Sequence, residues 1–150
     1  MNKKWFWFDI AENDFAALEW INKNVPTNDL VLNDATFTSE FEMSMSVKNM
    51  TYWVWGWLNF HERANALLEV WREPSNLSRV LTLLQQHNVS YILSTSEWGQ
   101  LLYNPDLSYS YVSKPYTPEQ YAMIFDQYPF LKPVFRQGST IICKVDYQTS

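Results

Sequence analysis

The segment from Leu77 to Thr95, LSRVLTLLQQHNVSYILST, changes its spacing of apolar residues halfway along. In the first half, the apolar residues follow the i, i+3, i+4, i+7 spacing of a helix with one buried face, at Leu77, Val80, Leu81 and Leu84. In the second half, Val89 to Thr95 centre on the apolar run Tyr91-Ile92-Leu93, which is typical of a buried strand. A helix that leads directly into a buried strand predicts a sheet with helical crossovers, so a parallel partner strand is expected elsewhere.

The expected partner strand lies upstream, at Asp29 to Asn33, and the polar residue Asp34 follows it. A helix precedes this strand and must end at Pro26, because the residue before a proline avoids the α region. Its candidate N-caps are the neighbouring residues Asn13 and Asp14. Helix and strand therefore alternate here as they do in the opening segment.

Three further helices are predicted from apolar spacing. The first has apolar residues at Phe37, Phe41 and Met45. The second has them at Ala64, Leu67, Leu68 and Trp71. The third has them at Tyr121, Ile124, Phe125 and Tyr128, and Thr117 and Gln120 have the spacing of a capping box at its start. The tyrosine-rich stretch between Pro105 and Pro115 is predicted to be a long loop.

Two strands close the chain, Leu131 to Arg136 and Ser139 to Val145, and they flank Gln137-Gly138, the signature of a tight hairpin. Pro133 cannot donate a ladder hydrogen bond, so the first of these strands is predicted at a sheet edge. Together the patterns predict one α/β domain over residues 1–150. Its mixed sheet has a parallel strand pair, helical crossovers and a C-terminal antiparallel hairpin.

The composition excludes several functional classes. Of 150 residues, 47% are hydrophobic and 17% aromatic, which excludes a disordered chain. The formal net charge of −5 gives no electrostatic case for binding nucleic acid or an anionic lipid surface. No apolar run reaches the roughly 20 residues that cross a bilayer. The run Trp5-Phe6-Trp7-Phe8 is interpreted either as a strand or core segment, or as the interfacial end of a membrane anchor.

Residue types that carry nucleotide, metal or covalent chemistry are sparse. The three glycines are far apart in the sequence, which excludes a glycine-rich phosphate loop. His61 and His87 fall on different predicted helices without further ligands at metal-binding spacing. Cys143 lies in an apolar strand, where a thiolate is destabilised, and is predicted to be a core residue. We therefore predict no catalytic residue, no metal and no cofactor in this chain.

Two features are candidates for ligand contact. Asp34 and Glu97 each follow a predicted strand, and α/β proteins bind ligands beyond the carboxyl ends of strands. The alternative is that both are solvated loop carboxylates. Trp53, Trp55 and Trp57 alternate within an aromatic stretch, which suits contact with sugar rings, with a partner surface or with a membrane interface. The alternative for these tryptophans is one face of a strand packed on the core.

Three N-glycosylation sequons occur, at Asn49-Met50-Thr51, Asn76-Leu77-Ser78 and Asn88-Val89-Ser90. A sequon needs only a hydroxyl two residues after the asparagine, so such triplets also arise by chance. They permit an exported location without arguing for one. The sequence does not decide whether any of the three asparagines carries a glycan.

Several segments, taken in order, resemble one family. They are Ala17 to Pro26 (ALEWINKNVP), Asp29 to Asp34 (DLVLND), Val80 to Leu84 (VLTLL), Asn88 to Ser94 (NVSYILS), Phe130 to Phe135 (FLKPVF) and Thr140 to Val145 (TIICKV). Over about residues 11–146, the chain is similar to the C-terminal extracytoplasmic domain of polytopic membrane glycosyltransferases that use lipid-linked sugars, archaeal ones in particular. That superfamily includes the protein mannosyltransferases and the catalytic subunit of oligosaccharyltransferase.

The resemblance implies an α/β domain on the extracytoplasmic face of a membrane, joined to the transmembrane portion of the same parent protein. In that family the catalytic acidic residues lie in loops between membrane helices, so this chain alone is expected not to catalyse transfer. The oligosaccharyltransferase domain carries Trp-Trp-Asp-Tyr-Gly to recognise the acceptor hydroxyl. The nearest stretch here, Trp53-Val54-Trp55-Gly56, lacks the aspartate, so recognition by that motif is not carried over.

The leading functional hypothesis is a non-catalytic domain that positions an acceptor or a glycan, including a lipid-linked sugar, over the membrane active site. A second hypothesis is a structural or protein-interaction module that uses the aromatic stretch as its contact. A third is a small soluble hydrolase with a site at Asp34, Thr36, Ser96 and Glu97. No nucleic-acid partner is expected under any of them.

Overall fold

The computed structural model describes residues 2–5, 8–34, 49–51, 61–96, 101–103, 110–112 and 114–148. The helices in these ranges are α1 (Glu12–Asn24), α2 (His61–Arg72), α3 (Leu77–Gln86) and α4 (Pro118–Asp126). The strands are β1 (Asn2–Trp5), β2 (Phe8–Ala11), β3 (Leu30–Asn33), β4 (Asn49–Met50), β5 (Val89–Ser94), β6 (Leu101–Tyr103), β7 (Ser110–Val112), β8 (Leu131–Gln137) and β9 (Thr140–Val145). The helix predicted from Phe37, Phe41 and Met45 lies outside the described residues.

Five strands form the central sheet, in the order β4-β3-β5-β9-β8. β3 and β5 run parallel, and α2 and α3 lie between them in the chain, which is the helical crossover that the sequence predicts. β9 is antiparallel to β5, and β8 completes the sheet as the antiparallel partner of β9. The predicted fold class is confirmed.

The start of a helix agrees with the sequence prediction where the N-cap is formed by residues close together in the chain. Thr117 and Gln120 form the predicted capping box at the start of α4. The cap predicted for α1 at Asn13 or Asp14 is wrong, because the helix already begins at Glu12. The carboxylate of Asp14 accepts hydrogen bonds from distant parts of the chain instead of capping the first turn.

The C-terminal hairpin is confirmed, with its turn one residue later than predicted. Gln137 pairs with Thr140, so the turn residues are Gly138 and Ser139. Gly138 has a φ of +60°, a conformation that glycine adopts without a steric penalty. The space beside it is also closed, because a Cβ atom on Gly138 would lie 2.4 Å from Nδ2 of Asn13.

Shorter strands account for two further sequence features. β1 pairs with β2, and Trp5 ends β1 while Phe8 begins β2, in agreement with the strand interpretation of that aromatic run. β7 pairs with β6 at residues 110–112, where the sequence predicts a loop, so that prediction is wrong there. Pro133 lies in β8 at the edge of the central sheet, as its missing N–H predicts.

The core has two parts, one on each face of the central sheet. In β5, Ile92 belongs to the part covered by α2, α3 and α4, and Leu93 belongs to the part covered by α1. Trp71 packs edge to face against Tyr121, with ring centroids 5.4 Å apart, and so joins α2 to α4. Cys143 is a core residue as predicted, and burial raises the pKa of its thiol to about 12. None of the helices in the described ranges is long and apolar enough to span a bilayer.

Candidate functional site

The polar residues that follow β3 and β5 come together at the carboxyl ends of these parallel strands. Asn33 pairs with Leu93 in the ladder, so Asp34, which follows β3, lies beside Thr95, which follows β5. This edge of an open α/β sheet is where such folds bind ligands. We call the side chains gathered here the strand-end network, and define it as Asp14, Asp34, Thr95, Ser96, Lys114 and Thr140.

Asp34 forms an ion pair with Lys114 inside the protein. The Nζ atom of Lys114 lies 2.9 Å from Oδ2 of Asp34, and both side chains have 0% of their surface exposed. Thr95 donates its backbone N–H to Oδ2 at 2.8 Å and its hydroxyl to Oδ1 at 2.9 Å. The interpretation of Asp34 as a solvated loop carboxylate is therefore wrong, since a buried carboxylate persists only with a counter-charge and hydrogen bonds of this kind.

Lys114 connects the chain that follows β7 to the core. It precedes Pro115 and the start of α4, and its Nζ atom lies 5.5 Å from the centroid of the Tyr121 ring on that helix. The Tyr121 hydroxyl donates to the carbonyl oxygen of Trp71 on α2. Burial, and then the negative charge of Asp34, raise the pKa of Tyr121 well above its usual range, so the phenol stays protonated as a donor.

Asp14 forms the second half of the strand-end network, from the helix α1. Ser96 donates its backbone N–H to Oδ1 of Asp14 at 2.8 Å and its hydroxyl to Oδ2 at 2.6 Å. Thr140, at the start of β9, donates its hydroxyl to Oδ1 at 2.6 Å. Burial raises the pKa of Asp14 and the charge of Asp34 adds to this, while the hydrogen bonds from Ser96 and Thr140 oppose it.

Two consecutive residues thus hold two different carboxylates in the same way. Thr95 gives its N–H and its hydroxyl to Asp34, and Ser96 gives the same two groups to Asp14. The arrangement fixes the end of β5 to the end of β3, to the first turn of α1 and, through Lys114, to the start of α4. Both carboxylates are buried, and the hydrogen bonds to them hold these elements together.

The structure does not describe the other residues that the sequence predicts as ligand contacts. Trp53, Trp55, Trp57 and Glu97 lie outside the described residues. A ligand contact by them or by Asp34 stays a prediction. The role of Asp14 was not predicted from the sequence, where its place before an apolar helical pattern indicates a cap. Only the fold brings it to Ser96 and Thr140, 82 and 126 residues away in the chain.

Two concavities lie elsewhere on the surface of the described residues. The first, of about 440 Å³, is lined by Lys132, Lys144 and Val145 and by residues 146–148, which follow β9. A second, of about 500 Å³, lies between α4 and the turn at Gly138. Within the described ranges, no three His, Cys, Asp or Glu residues are grouped as metal ligands would be.

Comparison with known proteins relates the chain to one solved domain. No protein-family model matches it, and no curated protein sequence does. The C-terminal globular domain of an oligosaccharyltransferase from Archaeoglobus fulgidus, known from its crystal structure, has a similar fold, with a TM-score of 0.57 at 12% sequence identity. The match covers 93% of this chain and 100% of that one. Identity this low shows a likeness in fold alone, and this likeness extends over the whole of that globular domain.

Proposed function

We propose that this chain is the extracytoplasmic domain of a polytopic membrane glycosyltransferase that uses lipid-linked sugars. The catalytic residues then lie in the membrane-embedded part of the same parent protein, and this domain positions the acceptor or the glycan over them. The observation that carries the proposal is the likeness in fold to the oligosaccharyltransferase domain, over 93% of this chain and all of that one. A match to a whole domain supports the proposal better than a shared strand–helix unit, since such units recur among unrelated functions.

The buried carboxylates of the strand-end network support a non-catalytic role. A general acid or base has to come within hydrogen-bond distance of a proton on the substrate. Asp14 and Asp34 have 0% of their surface exposed, and their oxygens accept hydrogen bonds from Thr95, Ser96, Lys114 and Thr140. Their partners come from within the chain, which fits a domain whose parent does its chemistry elsewhere.

The same network supports a positioning role, because a residue that orients a substrate needs rigid surroundings. Asp34 directly follows β3, and Ser96 lies two residues after the end of β5. Both are anchored by hydrogen bonds at the ends of β3 and β5. Glu97 follows the second anchor directly in the sequence, and it and the three tryptophans Trp53, Trp55 and Trp57 are the side chains we propose to contact the glycan.

The membrane part of the proposal is tested by fractionating cells of the source organism with an antibody raised against this chain. We expect the antibody to detect a polypeptide far heavier than 17.8 kDa, in membranes that have been washed with alkaline carbonate. Carbonate strips peripheral proteins and leaves embedded ones, so retention reports spanning segments in the same polypeptide. A 17.8 kDa species recovered in the soluble fraction would contradict the proposal.

The positioning part is tested by titrating the chain with a panel of oligosaccharides while recording Trp fluorescence and amide NMR shifts. We expect a saturable change that is lost in a Trp53→Ala, Trp57→Ala double variant. Trp20→Phe is the matched control, because Trp20 on α1 packs against Tyr91 of β5, with ring centroids 6.2 Å apart. Flat titrations across the panel would remove glycan contact and leave the structural-module hypothesis, without affecting the fractionation result.

A further inference from the structure

The sequon at Asn76-Leu77-Ser78 lies on the surface, in the connection between α2 and α3. Residues 75–79 are all exposed, and Leu77 is 43% exposed although it is a large apolar residue. Asn76 is the N-cap of α3, and its Oδ1 atom accepts the backbone N–H of Arg79 at 3.3 Å. Its Nδ2 atom donates no hydrogen bond within the described part of the chain. The amide nitrogen that a glycosyl group would occupy is therefore accessible.

The hydroxyl of this sequon is accessible as well, and it lies next to the asparagine. The Oγ atom of Ser78 is 3.4 Å from Oδ1 of Asn76. An enzyme that reads the triplet has to reach both the amide and the hydroxyl. The hydrogen bonds that hold Asn76 and Ser78 are all local: the Asn76 cap, the Val80 N–H to the Asn76 carbonyl oxygen at 2.9 Å, the Asn76 N–H to the Glu73 carbonyl oxygen at 3.2 Å, and the Thr82 hydroxyl to the Ser78 carbonyl oxygen at 2.8 Å. Helix ends fray readily, so the triplet can be presented with little loss of structure.

The other two sequons are less accessible in the fold. In the triplet 49–51, Thr51 is 2% exposed, and its hydroxyl donates to the carbonyl oxygen of Val31 at 2.9 Å. In the triplet 88–90, Asn88 is exposed but Val89 is fully buried at the start of β5. β5 lies between β3 and β9 in the sheet, so presenting this triplet to an enzyme would require pulling a central strand out of the core.

We propose that Asn76 is an N-glycosylation site of the folded chain and that Asn49 and Asn88 are not. The donor is a lipid-linked oligosaccharide. Nδ2 of Asn76 forms a bond to the anomeric carbon of the first sugar, and the bond from that carbon to the lipid phosphate oxygen breaks. The lipid phosphate leaves with the bonding electron pair, and the proton that the amide loses passes to solvent. The inference rests on the proposed function for its location, because the chain has to face the side of the membrane where such donors are used.

The position of the cap makes this modification compatible with the fold. A sugar on Nδ2 leaves the Oδ1 atom free to accept the N–H of Arg79, so α3 keeps its N-cap. The exposed residues on either side of Asn76 leave room for the glycan in solvent. Glycosylation therefore adds to the surface without displacing a contact of the core.

Peptide mapping by mass spectrometry tests the proposal on the parent protein, isolated from carbonate-washed membranes of its own cells. We expect the peptide that contains Asn76 to carry a glycan, and the peptides with Asn49 and Asn88 to be unmodified. A bare Asn76 in membrane-retained protein overturns the proposal and leaves the proposed function standing. If Asn49 or Asn88 carries a glycan in as large a fraction of the molecules as Asn76 does, the claim that the fold restricts modification to Asn76 is overturned. If the protein is absent from the membranes and all three sites are bare, both proposals fail.

Variants separate the modification from the helix cap. Asn76→Asp replaces the amide oxygen of the cap with a carboxylate oxygen, which also caps helices, and removes the amide nitrogen that accepts the sugar. We therefore expect the parent protein to lose the mass of one glycan. Ser78→Ala gives the same loss, whereas Ser78→Thr restores the sequon and retains the glycan. Asn88→Asp is the matched control and leaves the mass of the glycosylated protein unchanged apart from the substitution. Retention of the full glycan mass in Asn76→Asp would overturn the assignment.

Discussion

Replacing Lys114 by methionine tests how much the buried ion pair of the strand-end network contributes to stability. Methionine has a similar length and no charge. The variant leaves the Asp34 carboxylate buried, with the hydrogen bonds from Thr95 but without the ammonium group at 2.9 Å. The expected result is a large loss of stability, because a buried charge without its counter-charge is strongly unfavourable.

The size of the loss follows from the burial of both partners. Removing one member of a buried ion pair costs about 3–5 kcal/mol, against a total free energy of unfolding of about 5–15 kcal/mol for an ordinary domain. At about 2–4 °C per kcal/mol for a chain of this size, Tm should fall by roughly 6–20 °C. Arg136→Met is the matched control, because its pair with Asp126 at 3.0 Å is half exposed on both sides and should contribute at most about 1 kcal/mol.

Urea unfolding followed by far-UV circular dichroism and by Trp fluorescence measures both variants against the parent chain. The double variant Lys114→Met, Asp34→Asn removes both charges and should recover part of the loss, which yields the coupling energy of the pair. A loss in Lys114→Met no larger than in Arg136→Met would refute the reasoning. So would a double variant less stable than the sum of the two single changes.

Three further outcomes follow from the described contacts. Gly138→Ala should lower the free energy of unfolding in urea by about 1–2 kcal/mol, because the φ of Gly138 is +60° and the added Cβ would meet Asn13. Ser139→Ala in the same turn is the control and should leave the stability nearly unchanged. Equal losses in the two variants would contradict backbone strain at Gly138. Burial raises the pKa of Asp14 from its ordinary value of 3.8, so the folded chain retains a proton that the unfolded chain has released. The free energy of unfolding should therefore fall as pH rises through the range above 3.8, and Asp14→Asn should remove this decline in a pH series; parallel curves would contradict the raised pKa. Cys143, with a thiol pKa of about 12, should react with a thiol reagent only after unfolding in urea, and rapid labelling in native buffer would count against its burial.

Local sequence signals predicted the elements whose geometry is set by neighbouring residues. The capping box of α4 needs only Thr117 and Gln120, three residues apart. The helical spacing of apolar residues after Asn76 predicted α3, because only one face of that helix is buried. The continuous apolar run Tyr91-Ile92-Leu93 predicted β5, because that strand is buried on both faces. The hairpin was predicted from Gly138 with an error of one residue, since the dipeptide signal identifies a turn without fixing which pair of residues occupies it.

The candidate site could not be predicted in the same way. The burial of Asp34 depends on Lys114, 80 residues further along, and no local pattern marks two such residues as partners. Asp14 has the sequence context of a helix cap, and its actual partners follow β5 and begin β9. The pair β6–β7 was also missed, because three-residue strands are too short to show alternation.

Transfer of a sugar from a lipid-linked donor to an acceptor peptide tests most directly whether the chemistry resides outside this chain. The comparison is between the purified 150-residue chain and its parent protein isolated in detergent, at equal concentration and with the same donor. We expect glycopeptide formation by the parent protein and none by the isolated chain. Turnover by the 150-residue chain alone would contradict it.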